Sequence, residues 1–160
     1  MYVMPHTRIL YSALHFFVSL VLFAQNPSTA VFPNLIFPDG KSLKDYTTTG
    51  VVLVYGDSSC PACQKAQGQL ELRHQKWSAW GYPIVYIALD SDAKNLKQNF
   101  GTPPWPVYCD GKSWDSPWVA AADLRGTPTF FALDPQLKIK YEATNVAQMD
   151  LWLRTQTSHR

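Results

Sequence analysis

Two cysteines three residues apart, Cys60-Pro61-Ala62-Cys63, are the residues of this sequence best suited to chemistry. Spacing i, i+3 sets two thiols on one face of a helix's first turn, close enough to close a disulfide. Cys60 falls at the expected N-cap. Pro61 falls at the first helical position, where a missing N–H leaves nothing unpaired. The free N–H groups and the dipole of a helix start stabilise an anion there, and the thiolate is the attacking species of thiol–disulfide exchange. Cys60, the more exposed thiol, is therefore expected to attack a partner disulfide, and Cys63 to resolve the mixed disulfide. Pro61 and Ala62 contribute neither charge nor side-chain donor. The terminus alone should lower the Cys60 pKa only modestly, which suits a reductant or mid-potential exchanger.

Other chemistries of a CxxC are less well served. Zinc knuckles use the motif in pairs, and no second CxxC or spaced His pair is present. Cys60, Cys63, Cys109 and His74 could supply four ligands, but without a recognisable spacing. A purely structural disulfide across i, i+3 would close a very short loop, which constrains the unfolded chain least. A peroxidatic cysteine would want Thr and Pro upstream, where Asp57 and Leu53 stand. A metallochaperone would want CxxxC and a downstream His, and no His lies between His74 and His159. No metal and no cofactor beyond the dithiol itself is expected.

The elements that must hold this dithiol read as an α/β domain. Val51–Tyr55 is a β-branched apolar run suited to a buried parallel strand, and Gly56-Asp57-Ser58-Ser59 is a loop. A helix is expected from Pro61 to about Trp80, stopped by Gly81. Strands are expected at 83–89, 129–133 and 138–142. Short helices follow Asp90-Ser91-Asp92 and Pro117, and a last helix runs from Val146 to about Thr155. Asn34–Phe37 and Ser42-Leu43 flank an Asp39-Gly40 turn as an N-terminal hairpin. Gly101–Pro117 is irregular. The expected fold class is α/β, a central mixed β-sheet flanked by helices.

The chain has 160 residues, room for one domain, and 46% of them are apolar. The net charge of +2 offers no basic field for phosphates, so nucleic acid is an unsuitable partner. Three cysteines are too few for a disulfide-stapled miniprotein. Arg8 followed by the apolar stretch Ile9–Ala24 has the layout of a secretory signal peptide. Residues 1–24 are expected to be that signal, cleaved after Ala24 or Ala30, or a membrane anchor if uncleaved. Residues 31–157 are then the folded domain, in an exported, disulfide-permissive compartment such as the periplasm.

The segment Val51–Cys63 resembles the strand–CxxC–helix signature of thioredoxin-like proteins. Gly126-Thr127-Pro128-Thr129 resembles that superfamily's Gly-x-Pro-Thr segment. The hairpin at 35–43 and the Trp-Pro-Val-Tyr-Cys-Asp stretch at 105–110 resemble the exported TlpA/ResA-like thiol–disulfide oxidoreductase branch. The resemblance covers about residues 34–155. It implies a thioredoxin-like fold, catalytic Cys60 and Cys63, and a cis Pro128 beside the dithiol with Thr127 offering its backbone to substrate. It also implies protein substrates carrying cysteines or disulfides, a membrane or soluble redox partner that resets the dithiol, and a monomer. Three positions depart from the pattern: Ser59 replaces a Trp, Val54 a buried acid, and Ala66 a Glu. The Gly56–Ser59 loop is closer to that of periplasmic disulfide isomerases, so a dithiol oxidase or isomerase is the alternative direction of flow. For Cys109 the two readings are a buried small hydrophobe and an intermolecular or regulatory disulfide. Trp105, Trp114 and Trp118 are either an aromatic lip for partners or cover for their own segment.

Overall fold

In the computed structural model, residues 31–158 are described. The signal-peptide expectation at residues 1–24 lies outside them. Strand β1 (Val51–Gly56) is buried at every position, as its unbroken apolar run requires. It is central in a five-stranded sheet of order β3-β2-β1-β4-β5. It runs parallel to β2 (Ile84–Ala88) and antiparallel to β4 (Thr129–Leu133). Outside these, β3 (Val107–Tyr108) is parallel to β2 and β5 (Ile139–Ala143) antiparallel to β4. Helices α1 (Pro61–Glu71), α2 (His74–Ala79), α3 (Ala93–Phe100), α4 (Pro117–Ala122) and α5 (Val146–Thr157) complete the domain. Among the described residues no helix is long and apolar enough to cross a membrane.

The pleat of β1 divides its side chains between two cores. Val52 and Val54 join Ala66 and Leu70 of α1, Trp77 of α2, Phe100 of α3, and Met149 and Leu153 of α5. Val51, Leu53 and Tyr55 face the other way, with Phe32, Leu35, Phe37 and Leu43 of the N-terminal segment and Val119 of α4. That segment is the expected hairpin in reduced form. A single bridge joins Ile36 to Ser42, Phe37 N–H donates to the Lys41 carbonyl at 2.8 Å, and a 3-10 turn, Leu43–Tyr46, follows. Its function is to cover the second face of β1.

Two features differ from the sequence expectation. The long helix breaks at Leu72-Arg73, where the His74 ring nitrogen Nδ1 pairs with the Glu71 carbonyl at 2.9 Å. A continuous helix would give that carbonyl to the amide four residues on. The irregular stretch 101–117 contains the short β3, which extends the sheet, and a 3-10 turn, Ser113–Asp115. Trp105 is buried in the first core and Trp118 packs on the second, so both rings cover their own segment, while Trp114 remains exposed.

Trp77 anchors α2 to α5 through a buried polar contact: its indole N–H donates to Asp150 Oδ1 at 2.9 Å. Arg154 Nε donates to the other carboxylate oxygen, also at 2.9 Å. Burial pushes the Asp150 pKa up, but the Trp77 and Arg154 hydrogen bonds outweigh it and the net shift is downward. A depressed carboxylate pKa adds stability that is full above the unfolded value of about 4 and lost as pH falls through the folded one. Asp150→Ala should therefore lower the unfolding free energy by about 1–3 kcal/mol at pH 7, since it strands a buried indole N–H. Urea titrations at pH 7 and pH 3 check this: the difference between variant and wild type should shrink at the lower pH.

Candidate functional site

The loop leaving β1 is built to place one sulfur. Asp57 Oδ1 accepts from the Ser59 N–H at 2.7 Å and from its hydroxyl at 2.6 Å, the loop-capping role its sequence position suggests. Cys60 N–H donates to the Asp57 carbonyl at 3.1 Å. Ser58 is buried and gives both its N–H and its hydroxyl to the buried carboxylate of Asp90, just beyond β2. Asn99 of α3 donates to the Ser58 hydroxyl, and Gln64 of α1 to its carbonyl at 2.9 Å. Three elements thus hold one loop residue. Of the expected capping segment Asp90-Ser91-Asp92, Asp92 makes the cap of α3, accepting from Lys94 N–H at 2.8 Å, while Asp90 is turned to Ser58. The placement of Asp90 after a buried strand and the paired serines before the dithiol were the available signals.

Cys60 is the N-cap of α1 and Pro61 its first residue, as the spacing requires. The Cys60 sulfur accepts from the Cys63 backbone N–H at 3.3 Å and lies 3.8 Å from the Thr127 carbonyl oxygen. The Thr127–Pro128 peptide is cis, as the resemblance implies. The structure therefore brings Cys60, Cys63 and the Thr127-Pro128 segment together at one end of the sheet. Beside them an open groove of 450 Å³ is lined by Ala62, Arg125, Thr127, Pro128, Glu142 and Thr144, among others.

The two thiols differ in environment. Cys60 is half-buried and Cys63 only 1% exposed. For Cys60, burial acts to raise the pKa, but the hydrogen bonds from the Cys63 side chain and N–H outweigh it and the pKa is lowered. For Cys63, burial comes first and the bond to Cys60 second, and together they push the pKa up to about 12. The thiolate therefore forms more readily at Cys60 than at Cys63. All three cysteines are free. Cys109 is half-buried, with its S–H on the Asp90 carbonyl at 3.1 Å and its pKa raised, burial being the main cause. It packs against the first core from a partly buried position. His74 is engaged at the helix break, and among the described residues no group of three or more His, Cys, Asp and Glu is arranged to hold a metal.

The chain has the thioredoxin-like fold. A thiol-disulfide oxidoreductase from Bacteroides fragilis superposes with a TM-score of 0.67 at 18% identity, covering 79% of this chain and 99% of that one. The thioredoxin domain of a thiol-disulfide oxidoreductase from Bacteroides vulgatus gives 0.66 at 18%, over 79% and 95%. A thiol:disulfide interchange protein of the thioredoxin family from Chlorobium tepidum gives 0.63 at 19%, over 81% and 96%. No protein-family model and no curated protein matches the chain.

The asymmetry between the thiols has a direct readout. With the reduced protein at pH 7 and limiting iodoacetamide, peptide mapping should find Cys60 modified at least about tenfold more than Cys63 or Cys109, since the thiolate is the reactive form. The Cys60 rate should reach half its plateau below the free-thiol value of about 8.5. Equal modification of Cys60 and Cys63 would contradict the environments described.

Proposed function

We propose that this protein is an exported thiol–disulfide oxidoreductase that exchanges disulfides with cysteines of other proteins, most readily as a reductant or mid-potential exchanger. The observation that carries the reading is the pairing of a Cys60 sulfur at a helix N-cap, its pKa lowered, with a buried Cys63 whose pKa is raised, both beside the Thr127-Pro128 segment. The fold shared with thiol-disulfide oxidoreductases supports it. Export rests on Arg8 and the Ile9–Ala24 stretch.

In this reading the Cys60 thiolate attacks one sulfur of a partner disulfide. A bond forms between them, and the partner's second sulfur leaves as a thiolate. Cys63 loses its proton and attacks the Cys60 sulfur. The Cys60–Cys63 bond forms, the bond to the partner breaks, and its electron pair leaves on the partner sulfur, which takes up a proton. The partner disulfide gains two electrons and the dithiol loses two. A separate thiol donor must then return the protein to its reduced form. Thr127 and Pro128 form the substrate contact, an extended segment lying in the adjacent groove and pairing with the Thr127 backbone.

The direction of flow follows from what surrounds Cys60. Its stabilisation comes first from the Cys63 side chain and N–H and then from the Thr127 side chain and the Ala62 backbone, all of them uncharged donors. A thiolate held by neutral donors alone makes a milder oxidant than one held by a positive charge. Equilibration in glutathione or dithiothreitol buffers should give a potential between about −180 and −300 mV, against about −120 mV for a strong dithiol oxidase. Insulin disulfide reduction in the presence of dithiothreitol should be accelerated by wild type and fall to background with Cys60→Ser. A potential near −120 mV would move the assignment to the oxidase class.

A further inference from the structure

Beneath the dithiol lies a polar group that the exchange reaction as written leaves idle. Tyr86 is 2% exposed, and its hydroxyl has no hydrogen-bond partner among the described residues. A buried hydroxyl without a partner costs about 1–3 kcal/mol, so its presence calls for a reason. Its neighbour across the ladder is Val54, the position where the thioredoxin pattern has an acid. The ring packs on Phe100, with centroids 4.6 Å apart, and shares its core with Ala66 and Phe130.

Gly56 locates the hydroxyl. A Cβ added at Gly56 would collide with the Tyr86 oxygen, and the same point lies 3.4 Å from the Cys63 sulfur. Hydroxyl and sulfur are therefore within about 5 Å of each other, a gap that direct approach or one bridging water closes. The last residue of β1 is glycine because the Tyr86 hydroxyl occupies the space a side chain would need.

We propose that Tyr86 is a positioning residue for Cys63, its hydroxyl donating a hydrogen bond to the Cys63 sulfur, directly or through one water, as that sulfur becomes a thiolate. This rests on the disulfide-exchange reading and refines its second step. The proton lost from Cys63 still passes to solvent or to the departing partner sulfur. The phenol keeps its own proton throughout, because burial, followed by the nearby Cys63, raises its pKa. The ionisable groups facing the hydroxyl are Cys63 and Cys60 at the head of α1, Asp90 beyond β2, and Asp57 in the loop between β1 and α1. All are anionic or potentially anionic, so the phenol is the donor of the set. In the resting dithiol Cys63 holds its proton and the hydroxyl has no anion to serve. That explains a donor left without a partner in the reduced state.

The test separates the two chemical steps. Reduced protein mixed with excess 5,5′-dithiobis(2-nitrobenzoate) in a Cys109→Ala background releases one thionitrobenzoate when Cys60 attacks and a second when Cys63 resolves. Tyr86→Phe should leave the first phase within about twofold and slow the second about tenfold at pH 7, the worth of one hydrogen bond to a charged sulfur. The pH midpoint of the second phase should move upward. The melting temperature should equal or exceed that of the background protein, because no hydrogen bond is lost. An unchanged second phase and midpoint would overturn the proposal. A first phase no faster than that of a free thiol would overturn the disulfide-exchange reading itself. Should Tyr86→Phe disturb the fold, 3-fluorotyrosine at position 86 keeps the shape and strengthens the donor. The second phase should then quicken with the first unchanged, and a second phase that does not quicken counts against the proposal.

Discussion

Strand β1 meets water on neither face, and the site follows from that constraint. A strand buried on both sides needs two covers. Helices α1, α2, α3 and α5 supply one and the N-terminal segment with α4 the other. Its backbone is likewise committed on both edges, to β2 and β4. The end of β1 is therefore fixed, and the loop that leaves it starts from a rigid base. Ser58, held from three elements, carries that rigidity to Cys60. The segment on the other side of Cys60 begins β4, the antiparallel neighbour of the same strand. The sulfur at the N-cap and the Thr127 carbonyl near it are thus set by adjacent strands of one ladder.

The two thiols then divide by burial and by each other. A thiolate at Cys60 gains from the Cys63 N–H at the start of α1 and from the Cys63 S–H, and that second bond adds to burial in making Cys63 harder to ionise. Stabilising one charge raises the cost of the other, as expected of two acids sharing a site. The order of the proposed reaction follows from this sharing. The first nucleophile is ready because the second holds its proton, and the second is released once Cys60 is bonded to a partner and carries no charge.

Much of this was legible in the residues, for identifiable reasons. Strands β1, β2 and β4 are continuous apolar runs between turn residues, and β4 occupies Thr129–Leu133 as expected. The dithiol's place at a helix start follows from Cys60-Pro61 alone. The break after Glu71 was hidden because Leu70 and Trp77, seven residues apart, share a helix face, so the apolar period runs through it. Strand β3 is two residues long and exists by pairing with β2, which no local pattern announces. The Ser58–Asp90 contact spans 32 positions and joins two loops. Tyr86 reads in sequence as one more aromatic residue of a buried strand. Only the packing shows its hydroxyl unpaired and Gly56 yielding space to it.

With valine on β1 and a phenol opposite it on β2, the space beneath the dithiol holds a polar group that carries no charge. An ionised carboxylate under the dithiol would raise the pKa of both thiols by like charge, and when protonated it could take part in proton transfer. A phenol that stays protonated adds no negative charge. Asp57 and Asp90 already act on the Tyr86 hydroxyl, so a third carboxylate in its place would add negative charge beneath the dithiol and oppose the stabilisation that the helix terminus provides. A neutral donor gives help only when a sulfur near it is charged. It therefore favours the resolving thiolate without weighing against the attacking one, and the apolar Val54 and the missing Gly56 side chain are what leave room for it.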